Sequence, residues 1–421
     1  MDYCKDIVLI NSSEIISIVR RSLSKIDPRL VEHGERVGYI ASKILSASPK
    51  RAAFDFQKLY ILCVLHDIGA YKTNEIDDML LFDSEKPFDH SLFGYIFLKN
   101  TTHLSEYAEA LLYHHTDFSE MSKISCRYAG YAGMIYLADR ADLVINSAKP
   151  DLSALKRCSG TRFDPELVDA LLSAEERENF SRKLITGEYR AESEAIIGSL
   201  EISNKEIADY LMLLVYAIDF RSPYTVTHTA DTTVMSIETG KLMGLGEHEL
   251  QALHTGAFLH DIGKIAVPHE ILEKPGRLTP GEYELVKRHI PEGEGILRGV
   301  VNDEICDIAL RHHEKLDGSG YARGITGDKL TVPQRIVAVA DILSALTQRR
   351  AYKEPFPKPK ALHILNEMKA DGLICPQVTD TICDNYDLIL RNTEKSHDPV
   401  KTLYKNLLVE YRDKSAVQGI L

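Results

Sequence analysis

The chain has 421 residues, 44% hydrophobic and 27% charged, which fits an ordinary soluble protein with more than one core. Its formal charge of -12 excludes duplex nucleic acid as the main partner, because phosphate binding needs a basic face; a small anionic substrate held by local cations or metal ions stays compatible. Seven cysteines lie scattered with no C-x-x-C, as free thiols of a reducing cytoplasm do, and the longest apolar run, LMLLVYAI at 211–218, is far short of a membrane span.

The N-terminal MDYCKDIVLI has neither a basic start nor a cleavage site and does not read as a signal peptide. Over 30–45, Leu30, Val37, Ile40, Ala41, Ile44 and Leu45 recur at helical steps, with His33 in phase with the inward face. The word CVLHDIGA follows at 63–70. Residues 151–205 are charged, match no signature and predict a helical spacer. A second word, AFLHDIGK, stands at 257–264. Over 274–289, KPGRLTPGEYELVKRH predicts a turn and a capped helix, with Thr279 as N-cap, Pro280 at the first position and Glu282 closing a capping box. That helix is expected to carry His289. The polar tail after about residue 395 is expected to be peripheral. Strand-like alternation is scarce. The predicted fold class is therefore all-α: tandem helical domains at 1–150 and 206–395, a helical spacer over 151–205 and a C-terminal tail over 396–421.

The two words belong to a larger repeat. The first half carries His33, His66–Asp67, His90, His114–His115 and Asp139; the second carries His228, His260–Asp261, His289, His312–His313 and Asp341. Residue types and order are identical, and the first gap is 33 residues in one copy and 32 in the other. Imidazole and carboxylate bind divalent transition metals. Five histidines and two aspartates exceed the four ligands of a closed structural zinc site and suit two ions with a bridging carboxylate. Two such ions can activate water and clamp a phosphoryl oxygen. With no cysteine among the ligands, the cofactor expected is a pair of divalent ions, iron or manganese ahead of zinc. A single histidine on an apolar face is ordinarily a satisfied core residue; seven candidate ligands in two ordered copies reverse that.

The second half resembles the HD-GYP domain, a branch of the HD phosphohydrolase superfamily. LHDIGK, KRHIPEGEGIL, HHEKLDGSGYARG and VADILSALTQRRAYK match its signature words in order over roughly 206–395. The first half resembles a plainer HD domain over roughly 25–150. The resemblance implies an all-α fold and hydrolysis of a cyclic dinucleotide, cyclic di-GMP or cyclic GMP-AMP. It implies metal ligation by His228, His260, Asp261, His289, His312, His313 and Asp341. It also implies contact of Lys264 with the scissile phosphate, and phosphate binding by Arg350 and Lys353, which follow Asp341 by nine and twelve positions. Arg forks onto phosphate oxygens and Lys adds a point charge, so the residue types suit the role. The DGSGYARG loop, tight through Gly318, Gly320 and Gly324, would present Tyr321 near the site.

Three positions depart from the family pattern. Ala322 replaces the GYP proline. Asp231 stands where an Arg commonly follows the first metal His by three, whereas the first half keeps Arg36. Tyr224 stands where some members have a Glu that supports a third metal, so two ions are expected. The first half retains all seven candidate ligands but has Ala70 in place of Lys264, Ala148 and Asp151 in place of the two cations, and TDFSEMSKISC in place of the glycine loop. It is expected to be a catalytically silent, regulatory or structural HD domain. The expected protein is a cytoplasmic cyclic dinucleotide phosphodiesterase, with a signalling protein as candidate partner and no membrane partner. Its rival is a receptor or signalling adaptor that binds the nucleotide or a partner protein without turnover, and retention of Lys264, Arg350 and Lys353 beside seven ligands favours the enzyme.

Overall fold

The computed structural model describes residues 9–25, 32–72, 88–219, 227–272, 274, 276–348 and 354–417. Among them every regular element is a helix, and no helix is long and apolar enough to cross a membrane. The helices that build the two halves run in chain order. They are α1 (Ser12–Leu23), α2 (His33–Ala47), α3 (Phe56–Leu65), α4 (Phe88–Thr101), α5 (Ala108–Leu112) and α6 (Ala129–Ile145), then α7 (Pro165–Glu178), α8 (Phe180–Thr186), α9 (Tyr189–Gly198) and α10 (Asn204–Asp219). The second half follows with α11 (His228–Leu242), α12 (Glu247–Leu259), α13 (Pro280–Lys287), α14 (His289–Leu297), α15 (Asp303–Leu310) and α16 (Val332–Thr347). The chain closes with α17 (Lys358–Ala370), α18 (Pro376–Asp384) and α19 (Tyr386–Val417).

The chain forms two compact units, Met1–Lys25 with Tyr210–Asn406 and Ile26–Asp209 with Leu407–Leu421. These differ from the expected boundaries in three places. Residues 12–23 fold with the second half: the capping box of Asn11 and Glu14 starts α1, Ile15, Ile16, Ile18 and Val19 are buried, and Arg21 Nη1 donates to the Arg298 carbonyl at 2.9 Å. Residues 151–205 are not an independent spacer. α7 packs on α2, Phe163, Leu167, Val168, Leu171 and Phe180 are buried, and Lys43 bridges Glu178 and Glu192 at 2.7 and 2.6 Å. Apolar residues at helical spacing within a charged stretch supply that face. The tail is likewise not peripheral. α19 buries Val400, Leu403 and Leu407, Glu410 accepts from Tyr95 and Asn100, and Tyr411 stacks on Phe93 with centroids 4.6 Å apart.

Within each unit the elements recur in one order. α2 and α11 begin with the first histidine of each set, α3 and α12 end at the His-Asp pair, α4 and α14 carry the next histidine, α5 and α15 lead into the His-His pair, and α6 and α16 carry the last aspartate. The periodicity read for α2 holds: Val37, Ile40, Ala41, Ile44, Leu45 and His33 are buried, while Leu30 lies outside the described residues. The Thr279 capping box is present, with Glu282 N–H donating to Thr279 Oγ1 and Thr279 N–H to Glu282 Oε2. That helix ends at Lys287, however, and His289 opens the next one.

The glycine of the repeated HDIG word has a packing reason. A Cβ on Gly263 would lie 1.9 Å from the His289 carbonyl oxygen and 2.5 Å from Gly293 N; on Gly69 it would lie 1.9 Å from the His90 carbonyl oxygen and 2.6 Å from Gly94 N. Only a residue without a side chain lets the His-Asp turn touch the helix that brings the next histidine. The word thus fixes the distance between two parts of each cluster.

Candidate metal centres

In the second half the structure gathers all seven expected ligands from five helices or their ends. His228 Nε2 lies 3.3 Å from Asp261 Oδ2 and 3.2 Å from Asp341 Oδ1. His260 Nε2 lies 3.2 Å from Asp261 Oδ2, and His289 Nε2 lies 3.7 Å from the other Asp261 oxygen. His313 Nδ1 is 3.8 Å from Asp341 Oδ2. Asp261 therefore turns one oxygen to His228 and His260 and the other to His289. Each of His260, His289 and His312 donates Nδ1–H at 2.7 Å to the carbonyl three residues before it, of Ala257, Val286 and Ala309. This fixes the tautomer and points Nε2, with its lone pair, into the cluster. His289 and His312 then face each other Nε2 to Nε2 at 3.3 Å. Two lone pairs at that distance repel unless a cation lies with them. His260 Nε2 and Asp261 Oδ1 are also buried without a hydrogen-bond partner. Both observations fit divalent metal.

Electrostatics agree. Burial alone would raise the Asp261 carboxyl; Lys264, its Nζ 2.5 Å from Oδ2, and His260 outweigh that and hold it well below the usual carboxylate range. Burial pushes His313 down to about 3 and His312 well below its ordinary value, so these rings are neutral ligands. Burial would lower His228 too, but the Asp261 and Asp341 carboxylates reverse it and raise that ring to about 9. A metal ligand must be neutral, so metal uptake near neutral pH should release a proton from His228, and affinity should climb as pH rises toward 9. Calorimetric titration of metal into the metal-free protein, in buffers of differing ionisation enthalpy, measures it; buffer-independent heats with no pH dependence would contradict the assignment.

The first half repeats the arrangement. His33 Nε2 is 3.7 Å from Asp67 Oδ2 and 3.3 Å from Asp139 Oδ1; His66 Nε2 is 3.3 Å from Asp67 Oδ2, and His90 Nε2 is 3.8 Å from Asp67 Oδ1. His66 and His114 donate Nδ1–H to the carbonyls of Cys63 and Leu111. His115 completes the second imidazole group.

The copies differ around these ligands. Lys264 stands at the second centre, where the first has the buried methyl of Ala70. His33 Nδ1–H donates to Asp142 at 2.8 Å, and Arg36 holds Asp142 with two bonds of 2.7 and 2.9 Å. In the second copy His228 pairs with Ser344 Oγ at 3.0 Å, and Asp231 bonds His397 at 2.7 Å and Gln348. The departure at Asp231 is thus one half of a paired exchange, Arg36 with Asp142 for Asp231 with Ser344. Sequence reading missed Ser344 and Asp142, each three residues after the last aspartate ligand.

Gly320 has a positional role. A Cβ there would lie 2.5 Å from Glu314 Cα and the His313 carbonyl oxygen. This close approach lets Tyr321 N–H donate to the His313 carbonyl at 3.1 Å and sets its ring 4.6 Å from the His313 ring. Buried Glu314, also missed in the sequence, holds the loop by accepting from Arg323 N and Ile325 N at 2.8 and 2.9 Å. Tyr224, Arg350 and Lys353 lie outside the described residues.

Family models for the HD domain match residues 30–143 and 213–378. The chain is 29% identical over 407 residues to 3'3'-cGAMP-specific phosphodiesterase 1 of Vibrio cholerae, covering 92% of this chain and 93% of that one. It is 37% identical over 185 residues to the cyclic di-GMP phosphodiesterase response regulator RpfG of Xanthomonas campestris, covering 43% of this chain and 48% of that one. A crystal structure of a cyclic GMP-AMP specific phosphodiesterase of V. cholerae, V-cGAP3, shares the fold, with a TM-score of 0.56, 19% identity and coverage of 90% of this chain and 97% of that one.

Proposed function

Both halves of the chain are HD domains, and from that premise we propose that the protein is a metal-dependent phosphodiesterase that hydrolyses a cyclic dinucleotide at the second centre. The observation that carries this is the difference between the copies: only the second sets Lys264 and the Tyr321 loop beside the complete cluster. Similarity over nearly the whole chain to a 3'3'-cGAMP-specific enzyme favours cyclic GMP-AMP as substrate. Cyclic di-GMP is the second reading, favoured by the higher identity to a cyclic di-GMP enzyme over 185 residues.

The two divalent ions, when bound, supply Lewis-acid activation of water and neutralise phosphoryl charge. A ligand set of nitrogen and carboxylate oxygen without thiolate favours iron or manganese and also accepts zinc. The chain's own residues do the rest. Asp261 would be a ligand shared by the two ions, because its two oxygens face different imidazole groups. The backbone carbonyls of Ala257, Val286 and Ala309 lock three ligand rings in the useful tautomer. Lys264 meets the charge that grows on the phosphoryl oxygens, and Arg350 and Lys353 grip the substrate phosphate. Water adds at phosphorus, one P–O bond of the ring breaks, the leaving oxygen takes a proton, and a linear dinucleotide with a terminal phosphate results. The first half holds metal as a regulatory or structural domain. Free cysteines throughout the described chain suit a cytoplasmic location.

The test is turnover of cyclic GMP-AMP and cyclic di-GMP by the manganese- or iron-loaded protein. Linear product should form, faster from cyclic GMP-AMP. Tight binding of either nucleotide without product would establish the receptor instead.

A further inference from the structure

We infer that the first-half centre is a single-ion site in which the guanidinium of Arg140 stands in for a second metal cation. This rests on the reading that the clusters hold divalent metal, and it separates the two halves by chemistry that their identical ligand sets conceal.

The two halves serve as controls for each other. In the second, His313 Nδ1 faces the Asp341 carboxylate at 3.8 Å, an acceptor that favours Nδ1–H and leaves Nε2 as a lone pair. In the first, the matched Asp139 Oδ2 is 4.0 Å from His115 Nδ1, but Arg140 Nη2 is nearer, at 3.2 Å, and is the group within hydrogen-bond distance. Arginine is a donor only and keeps its charge in proteins. His115 Nδ1 is therefore the acceptor, and the proton of the neutral ring sits on Nε2. That Nε2 lies 3.2 Å from His90 Nε2, so it donates there. A chain of donors thus runs from Arg140 to His115 to His90 and occupies two of the three imidazoles in the His90, His114, His115 group. The short Nε2-to-Nε2 contact of the second half, between His289 and His312, holds no such proton, because both rings donate Nδ1–H to backbone carbonyls.

Arg140 is also 2% exposed and places Nε 3.2 Å from Asp139 Oδ2. It is a fixed positive charge, buried against the cluster, where the matched residue of the second half is the half-buried Ile342. A buried cation opposes entry of a further dication beside it. What remains in the first half is enough for one ion. His33 and His66 donate Nδ1–H to Asp142 and Cys63 and turn Nε2 toward Asp67, and His33 Nε2 also faces Asp139 at 3.3 Å. His114, in the group with His90 and His115, keeps a buried Nε2 without a hydrogen-bond partner.

The experiment counts metal in the full-length protein after manganese loading and gel filtration, by plasma mass spectrometry. Wild type should hold about three ions per chain, and His66→Ala with Asp67→Ala about two. Arg140→Ile should raise the count to about four, and Arg140→Lys should leave it at about three. The reciprocal change, Ile342→Arg, should lower it to about two and keeps the test decisive if Arg140→Ile does not fold. About four ions in wild type would overturn the inference while leaving the metal reading intact, as would counts unmoved by both Arg140→Ile and Ile342→Arg. No retained metal in either half would overturn the metal reading itself.

Discussion

His260→Ala combined with Asp261→Ala should abolish turnover. His260 supplies a buried Nε2 with no protein hydrogen-bond partner, and Asp261, like Asp341, turns its two oxygens to different imidazole groups of the cluster. Removing the pair would take a shared ligand from both proposed ions at once, so the loss should exceed the ~10²–10³-fold that deleting one charge-stabilising donor costs. Metal content should fall together with rate. Stability in the presence of metal should fall as well, since an ion bound only by the folded state stabilises that state. The measurement is the rate, metal content and melting temperature of the double variant beside wild type. Retained turnover would remove the second centre from catalysis.

Lys264→Ala should have the second largest effect, and of a different kind. Its Nζ sits 2.5 Å from Asp261 Oδ2, beside the cluster but not among its ligands, and 21% of its side chain is exposed. Metal content should therefore stay at the wild-type level, while kcat falls by about 10²–10³-fold. A fall in kcat and kcat/KM alike would mark an interaction made in the transition state; a rise in KM alone would mark uniform binding of the phosphate. Near wild-type turnover would take Lys264 out of the mechanism. Placing lysine at the matched position of the first half, Ala70→Lys, should create no second activity, because that half also lacks the glycine loop and the two cations.

Much of the site was legible because metal ligation demands particular residue types, and those stand out in a sequence. The seven residues of each set converge as their order implied, and the helical phase of His33 with Val37, Ile40 and Ile44 is correct. What escaped is what depends on three-dimensional neighbours. Arg140 reads as one more charge in YLADRAD, yet it is buried against His115 and Asp139. Comparing the two copies residue by residue beyond the ligands would have exposed it, along with the exchange of Arg36 and Asp142 for Asp231 and Ser344. The glycine of HDIG looked like part of a signature; its cause is a helix backbone lying where a Cβ would be. The spacer and tail were misjudged for a simpler reason. Their charged residues cover an outer face, while a minority of apolar residues such as Leu171, Phe180 and Val400 do the burying.

On the proposed function, substrate grip at the second centre rests on residues whose counterparts the first half lacks, so the halves should respond oppositely to the same lesion. The direct test is the rate of cyclic dinucleotide hydrolysis by full-length protein carrying His66→Ala and Asp67→Ala, with metal content measured on the same sample. The expected result is a rate within a few-fold of wild type, with a lower melting temperature from loss of the first-half ion. Complete loss of hydrolysis in a folded protein whose second centre keeps its metal would contradict the assignment of catalysis to the second half alone.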